Sequence, residues 1–413
     1  MAQLHFTLNQ EEILQLLEKD KDSAFAELLE NCLNTLLKAE SAAQLHAEPY
    51  ERTEERTASR NGFRDRALDT RIGSITLHVP KHRGGEPFKT LIFDNYCRSE
   101  AALIVAMAEM VVNGVSTRKV SNVMETLCGK SYSKSTVSEA CKKLDEEVST
   151  FRDRQLSGEY PFLTVDATYF KVRENGRIIS KALMIGLATN TEGRREIVGF
   201  GIYENESKST WNAFLKGLKS RGLSGVKMIT SDAHEGIVDA VANVFPGAAW
   251  QRCQFHFSRN IIDKTPKKYQ AGLAGELQEM FNCSSLEEAR KVKDDLYREY
   301  EDVAPEAVKC LDDGFESSMS VMVLPPYLRK YFRTSNQIER LNKELKRRSK
   351  VIGIFPNENS LMRLIGSVLQ EQHDILQSRK CIFSAVSLQG ILTPALISSL
   401  IQIATEQQKL LKT

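Results

Sequence analysis

The sequence predicts an α/β protein: a mixed sheet flanked by helices, with an all-helical insertion and a mainly helical N-terminal region. Three observations carry that prediction. Between residues 160 and 255, short apolar runs alternate with amphipathic helical stretches, as in a layered α/β core. Residues 257–330 are charged and helical in period. Before residue 154, leucines and valines recur at helical spacing, interrupted by one basic segment of period two.

Taken in order, residues 7–45 read as helix, with Leu14, Leu17, Leu28, Leu29, Leu33, Leu36 and Leu37 at helical spacing. From 50 to 90 that pattern fades. Residues 71–80 alternate as a strand with Ile75, Leu77 and Val79 on one face, and Gly84-Gly85 marks a turn. Residues 56–83 carry seven Lys/Arg and two Asp, net +5, which suits phosphate contact and equally a solvated charged face. Residues 101–112 form an apolar helix. A second helix, 114–127 with Ser116 as N-cap, is followed after Gly129 by a third, 133–144. Helix, short turn, helix is the spacing of a helix-turn-helix and also of a plain helical hairpin. Lys134, Ser135 and Thr136 open the third helix and could reach phosphates or base edges; Val137 and Leu144 would be its core side.

The core begins with the apolar run 162–165, ending at Asp166. Strands follow at 182–188 and 196–203. A helix at 209–220 carries Trp211, Phe214, Leu215 and Leu218 on one side. The strand 226–229 leads to Ser231-Asp232, a helix covers 235–245, and 248–253 is a last strand. Within the helical stretch, residues 286–316 carry eleven acids and five Lys/Arg, and Pro325-Pro326 closes it. The helix 334–349 opens on a capping-box pattern, Thr334 and Gln337, and turns Ile338, Leu341 and Leu345 inward. Helices run from about 360 to the end. The expected divisions are 1–50, 51–100, 101–154, 155–256, 257–332, 333–358 and 359–413.

Composition narrows the class. With 413 residues, 41% hydrophobic and 27% charged, the chain has enough apolar content for a sizeable core and is not mostly disordered. Residues 1–30 hold seven acids and two Lys, the reverse of a secretory or transit segment. The most apolar stretch, 391–404, is too short to span a bilayer and contains Pro394, Ser398, Ser399 and Gln402. The eight cysteines form no CxxC pair, which excludes a zinc ribbon or thioredoxin-type site; they read as reduced thiols of a cytoplasmic protein. Net charge is only +2, yet residues 56–83 and 333–350 are each net +5, offset by −5 in residues 1–30 and −6 in 286–316. A near-zero sum therefore does not exclude a DNA partner.

Two aspartates close apolar strands, Asp166 and Asp232. If those strands are neighbours, their carboxylates meet at one edge and suit Mg²⁺ or Mn²⁺. Two such ions serve phosphodiester cleavage. Glu339 is the third carboxylate, in the second turn of its helix, on a face that continues through Lys343, Lys346, Arg347 and Lys350. Glu344 competes, about 140° away round the helix. Asp at a strand end is also common as a plain turn or cap residue. Cys253 and His256 stand at CxxH spacing, but two ligands do not make a zinc site, which wants four. His256 and His234 could sit near the carboxylates and a phosphate, or simply be satisfied polar residues beside the core.

At these residues the sequence resembles the Mutator-type transposases of bacterial insertion sequences. The resemblance rests on Val165-Asp166-Ala-Thr-Tyr-Phe-Lys171-Val-Arg173, Thr230-Ser-Asp232-Ala-His-Glu-Gly236, Trp250-Gln-Arg-Cys253-Gln-Phe-His256, and Arg333-Thr-Ser-Asn336-Gln-Ile-Glu339-Arg340-Leu-Asn342 running on to Gly353-Ile-Phe-Pro356-Asn357. It spans roughly residues 60–380, including Arg60-Asn-Gly-Phe-Arg64. Ala233 stands where the family often has Gly, and Ser335 where it often has Thr. The resemblance implies a DDE recombinase with an RNase H-like catalytic domain, in which Asp166, Asp232 and Glu339 bind two divalent ions, Mg²⁺ or Mn²⁺. His234, Cys253 and His256 would support that site. Lys134, Ser135, Thr136, Lys171, Arg173, Arg340, Lys343, Lys346 and Arg347 would contact DNA. Water would free a 3′-OH at the element end, and that 3′-OH would attack another strand. The implied partners are double-stranded DNA, as terminal inverted repeats and target, and further copies of the chain as a homodimer or higher multimer, at the bacterial nucleoid in the cytoplasm. Two alternatives stay open: a structure-specific nuclease on the same fold, and a domesticated DNA-binding regulator.

Overall fold

In the computed structural model, which describes residues 21–51, 53, 56–70, 73–90, 101–128 and 132–411, the chain divides into two units, Met1–Lys143 and Leu144–Thr413. In the first, α1 (Lys21–Leu45) lies on an antiparallel hairpin of β1 (Ser59–Thr70) and β2 (Gly73–Arg83). Period-two alternation places Ile75, Leu77 and Val79 on one face of β2, where they form a core with Leu37 and Leu68. Residues 7–20 of the expected first helix lie outside the described residues. Three helices, α2 (Ala101–Val112), α3 (Thr117–Cys128) and α4 (Lys134–Lys142), enclose a second core of Leu103, Met107, Val120, Met124, Val137 and Ala140. The Ser116 hydroxyl caps α3, accepting from the Lys119 amide at 3.3 Å. The third helix is shorter than the sequence suggested. It ends at Lys142, and Leu144 opens α5 (Leu144–Asp153). Asp145, Glu146 and Glu147 favour a new helix start there, because acids complement the positive end of a helix dipole.

In the second unit, β3 (Phe162–Glu174), β4 (Arg177–Thr189) and β5 (Arg195–Tyr203) form an antiparallel meander. Asn175 and Gly176, at φ 49° and 77°, make the two-residue turn joining the first two strands, the conformation an Asn-Gly hairpin demands. Parallel neighbours need a crossover. Accordingly α6 (Lys208–Ser220) precedes β6 (Met228–Ser231), and α7 (Glu235–Val244) links it to β7 (Ala249–Arg252). The resulting order is β5-β4-β3-β6-β7. One face of this sheet packs Leu163, Val165, Met184, Val198 and Ile229 against Trp211, Phe214, Leu215 and Leu218 of α6 and Ile237 and Val241 of α7.

A helical insertion follows: α8 (Gln254–Asp263), α9 (Gln270–Asn282), α10 (Leu286–Tyr300) and α11 (Pro305–Ser318). It has its own core around Phe257, Leu273, Leu277, Leu296 and Phe315. Pro325-Pro326 does not simply close it. Pro326 begins α12 (Pro326–Phe332), since proline is pre-set for the first helical position. Then come α13 (Asn336–Ser349), β8 (Ile354–Phe355), which pairs with the far end of β3, and α14 (Glu358–Ser378). The helices α15 (Ala385–Ile391) and α16 (Pro394–Leu410) send Leu388, Ile391 and Leu400 to the other face of the sheet, where they meet Phe162, Met228 and Phe332. At the end of β3 near β8, the buried Lys181 ammonium of β4 pairs with Glu174 (3.0 Å), Glu204 (2.5 Å) and Glu358 (3.1 Å). Among the described residues, no single helix is long and apolar enough to cross a membrane.

Candidate active site

The two aspartates are set by strand register. β3 and β6 pair in parallel as Phe162↔Met228, Leu163↔Ile229 and Thr164↔Thr230. Asp166 and Asp232 each stand two positions beyond that last pair, level with each other, on backbones that start about one strand spacing, ~4.8 Å, apart. Asp232 directly follows the last residue of β6, as its sequence suggested. Asp166 does not end its strand. β3 continues to Glu174, with Thr168, Phe170 and Val172 buried and Tyr169, Lys171 and Arg173 exposed. The polar residues after Asp166 therefore mark the outer face of a longer strand, not its end. Burial, then the negative charge of Asp232, push the Asp166 carboxyl up to about 7. Asn342 of α13 donates to Asp166 Oδ2 at 2.8 Å, and its own Oδ1 is buried without a hydrogen-bond partner. A further acid, Glu206, lies close by; burial and the Asp232 charge raise its pKa.

The segment before α13, which carries Glu339, is stitched to the ends of β6 and β7. Thr230 Oγ1 donates to the Phe332 carbonyl (2.7 Å), the Gln254 amide to the Arg333 carbonyl (3.0 Å), and the Ser335 amide to Cys253 Sγ (3.3 Å). The N-cap of α13 is Ser335, and the expected Thr334–Gln337 capping box does not mark the helix start. The Ser335 side chain makes no cap bond. Its hydroxyl lies 3.1 Å from Glu339 Oε1 and 3.2 Å from Cys253 Sγ, able to donate to one at a time. Since the helix starts two residues later than read, Glu339 occupies its first turn, not its second. There a carboxylate also meets the positive end of the helix dipole.

Cys253 is fully buried at the start of α8, and His256 is one turn further on. His256 Nε2 lies 3.7 Å from Glu339 Oε1. The Cys253 sulfur beside it lifts the His256 pKa to about 9 against the effect of burial, with help from the Glu339 and Asp166 charges. Burial alone would push the Cys253 thiol up, but His256 and Ser335 outweigh it and the net shift is downward. No directed hydrogen bond occupies His256 Nδ1, which is buried and unpartnered, so the two groups couple by proximity. His234 has a different task. It is the N-cap of α7, and its Nδ1 accepts from the Gly236 amide at 3.2 Å.

The basic candidates divide by position. Lys171 and Arg173 are exposed on β3; Arg340, Lys343, Lys346 and Arg347 are exposed along α13. Glu344 is not in the acidic cluster. It bonds Arg347 and Arg348, each at 2.7 Å, and these guanidiniums hold its carboxyl down to about 2. Lys134, Ser135 and Thr136 are exposed in the first turn of α4, where the Thr136 amide donates to the Ser133 cap at 3.1 Å. Asn342, Ser335 and Glu206 were not among the sequence candidates. The first two were within reach of helix geometry, three residues after and four before Glu339. Glu206 carried no signal of its own.

A family model described as "Transposase, Mutator family" matches residues 1–378. Among curated proteins, the chain is 42% identical over 388 residues to the transposase for insertion sequence element IS256 in transposon Tn4001 from Staphylococcus aureus, covering 92% of this chain and 99% of that one. It is 39% identical to the transposase for insertion sequence element ISRM5 from Rhizobium meliloti, covering 84% and 87%. It is 38% identical to the transposase for insertion sequence element IS1081 from Mycobacterium tuberculosis, covering 87% and 88%.

Proposed function

The chain belongs to the Mutator family of transposases, and from that premise we propose that it cleaves DNA at the ends of a bacterial insertion sequence and joins the freed 3′-OH to another strand. Asp166, Asp232 and Glu339 are its DDE carboxylates. The observation that carries this reading is the matched register of β3 and β6, with Asp166 held near neutrality beside Asp232. Two carboxylates so placed repel unless a cation joins them. An all-oxygen donor set beside buried, unpartnered polar atoms fits two divalent ions, Mg²⁺ or Mn²⁺. Such ions, when bound, supply an activated attacking oxygen and a stabilised leaving oxygen.

The chain's own contribution is placement. Asn342 orients Asp166, Ser335 restrains Glu339, and the His256 imidazolium offers positive charge to a phosphate. Cys253 keeps that imidazole charged, while His234 fixes the turn after Asp232. Lys171, Arg173, Arg340, Lys343, Lys346 and Arg347 offset flanking phosphates. The sheet order, three antiparallel strands followed by two parallel ones, supports an RNase H-like core over 155–256 and 333–358, interrupted by the insertion 257–332 and followed by helices at 359–413. In the first unit, the pairing of α3 and α4 supports a helix-turn-helix within 101–154. It would present Lys134, Ser135 and Thr136 to the inverted repeats, beside the 1–50 and 51–100 segments. Two or more copies would pair the ends on double-stranded DNA at the nucleoid, in the cytoplasm.

The test is Asp232→Ala, assayed with Mg²⁺ on DNA carrying the element's ends. Nicks and joined products should both vanish. Undiminished cleavage overturns the site, and cleavage without joined products in the unmodified protein favours a nuclease.

A further inference from the structure

We propose that Cys253, His256 and Glu339 form a second cation site, for a thiophilic divalent ion of the zinc class, whose occupation takes Glu339 away from the aspartates. One donor atom from each side chain lies within 4.8 Å of the other two. The His256 Nε2 to Glu339 Oε1 separation is 3.7 Å. In a tetrahedral zinc site, bond lengths near 2.0–2.2 Å put such N and O donors roughly 3.4 Å apart. That pair need close by only a few tenths of an ångström. Sequence spacing supplied two ligands, Cys253 and His256; the stitching of α13 to β7 supplies the third.

The rest of the site agrees. The Cys253 sulfur is held by the Ser335 amide at 3.3 Å. The His256 ring is not committed elsewhere, since its Nδ1 has no hydrogen-bond partner. His256 and Glu339 are half-buried and give an ion a way in, whereas Cys253 is enclosed. Donor softness separates the two sites: sulfur, nitrogen and one oxygen select zinc-like ions, while the all-oxygen aspartate pair selects Mg²⁺ or Mn²⁺. Binding releases to solvent whatever proton the Cys253–His256 pair holds, with no change of oxidation state. Three protein ligands leave a fourth position for water.

Zinc holding the Glu339 carboxylate beside Cys253 and His256 would draw it from the aspartates, so zinc should lower cleavage. That consequence rests on the catalytic reading of Glu339; the binding itself does not. The probe is Co²⁺ titrated into the full-length protein, read by the near-ultraviolet sulfur-to-cobalt band and reversed by Zn²⁺. One Co²⁺ per chain should give the band. Cys253→Ser should abolish it, and Asp232→Ala should leave it intact. His256→Ala, at a less enclosed position, should weaken affinity by more than the about 100-fold that outer-sphere changes reach; circular dichroism checks that both variants fold. No band in the unmodified protein, or a band surviving Cys253→Ser, overturns the site. A full band with cleavage untouched by saturating Zn²⁺ overturns the competition for Glu339. Failure of the catalytic reading would appear separately, as cleavage by Asp232→Ala.

Discussion

Glu339 and Glu344 sit five positions apart on one helix, and their surroundings are opposite. Glu344 is neutralised by two guanidiniums, Arg347 and Arg348, and Arg348 is itself buried and bonded to Glu371 at 2.6 and 2.7 Å. Glu339 has one shared hydroxyl from Ser335 and an imidazole 3.7 Å away, on the helix whose Asn342 bonds Asp166. A carboxylate whose charge is already cancelled holds a fold together. One left partly uncancelled keeps capacity for a cation. The contrast gives two acids, both in play by sequence position alone, different surroundings to test.

The sharpest way to break the contrast is to neutralise each acid in turn. Glu339→Gln should reduce end cleavage by about a thousandfold or more, since losing a metal ligand forfeits several kcal/mol of charge stabilisation. Glu344→Gln should leave cleavage within about threefold but lower stability by about 1–2 kcal/mol, the loss of a charged hydrogen bond to buried Arg348. Equal losses of activity would dissolve the distinction. Next, Ser335→Ala removes the hydroxyl shared by Glu339 and Cys253; cleavage should fall about 10–100-fold, as outer-shell changes do, with the fold retained in circular dichroism.

Titration sharpens the same comparison in metal-free protein. Asp166 has a folded pKa near 7, above its usual 3.8, so its contribution to stability is full below about 4 and is lost as pH rises through 7. Glu344 is the reverse: held near 2, below its usual 4.5, its contribution is present above 4.5 and lost as pH falls through 2. In urea melts, Asp166→Asn should abolish a decline between pH 4 and 7. The deficit of Glu344→Gln should close only below pH 4.5. The smallest effect belongs to the exposed cations. Lys343→Ala with Lys346→Ala should flatten the salt dependence of DNA binding by about 0.9 per lost phosphate contact.

Much of the core is legible in the sequence itself. Hydrophobic periodicity located the strands and helices between 162 and 252, and the apolar runs before Asp166 and Asp232 belong to the neighbouring strands β3 and β6. Local pattern failed where tertiary contacts decide. The β3 strand outruns its apolar half because the Asn175-Gly176 turn and pairing with β4 and β8 carry it to Glu174. The α13 helix starts at Asn336 because Ser335 turns its hydroxyl to Glu339 and Cys253. Glu206 reaches the acidic edge from the segment after β5 through folding alone, which no spacing rule encodes.

The Lys181 cluster at the end of β3 near β8 has a consequence for how the sequence can drift. One buried ammonium meets three acids, from the end of β3, the segment after β5 and the first residue of α14. Losing any one of Glu174, Glu204 or Glu358 leaves the cation two partners, so each acid backs up the others. Losing the lysine strands three acids around an empty centre, where they repel. The arrangement is redundant in its glutamates and irreplaceable in its lysine. Variation should therefore be tolerated at positions 174, 204 and 358 one at a time, and resisted at 181.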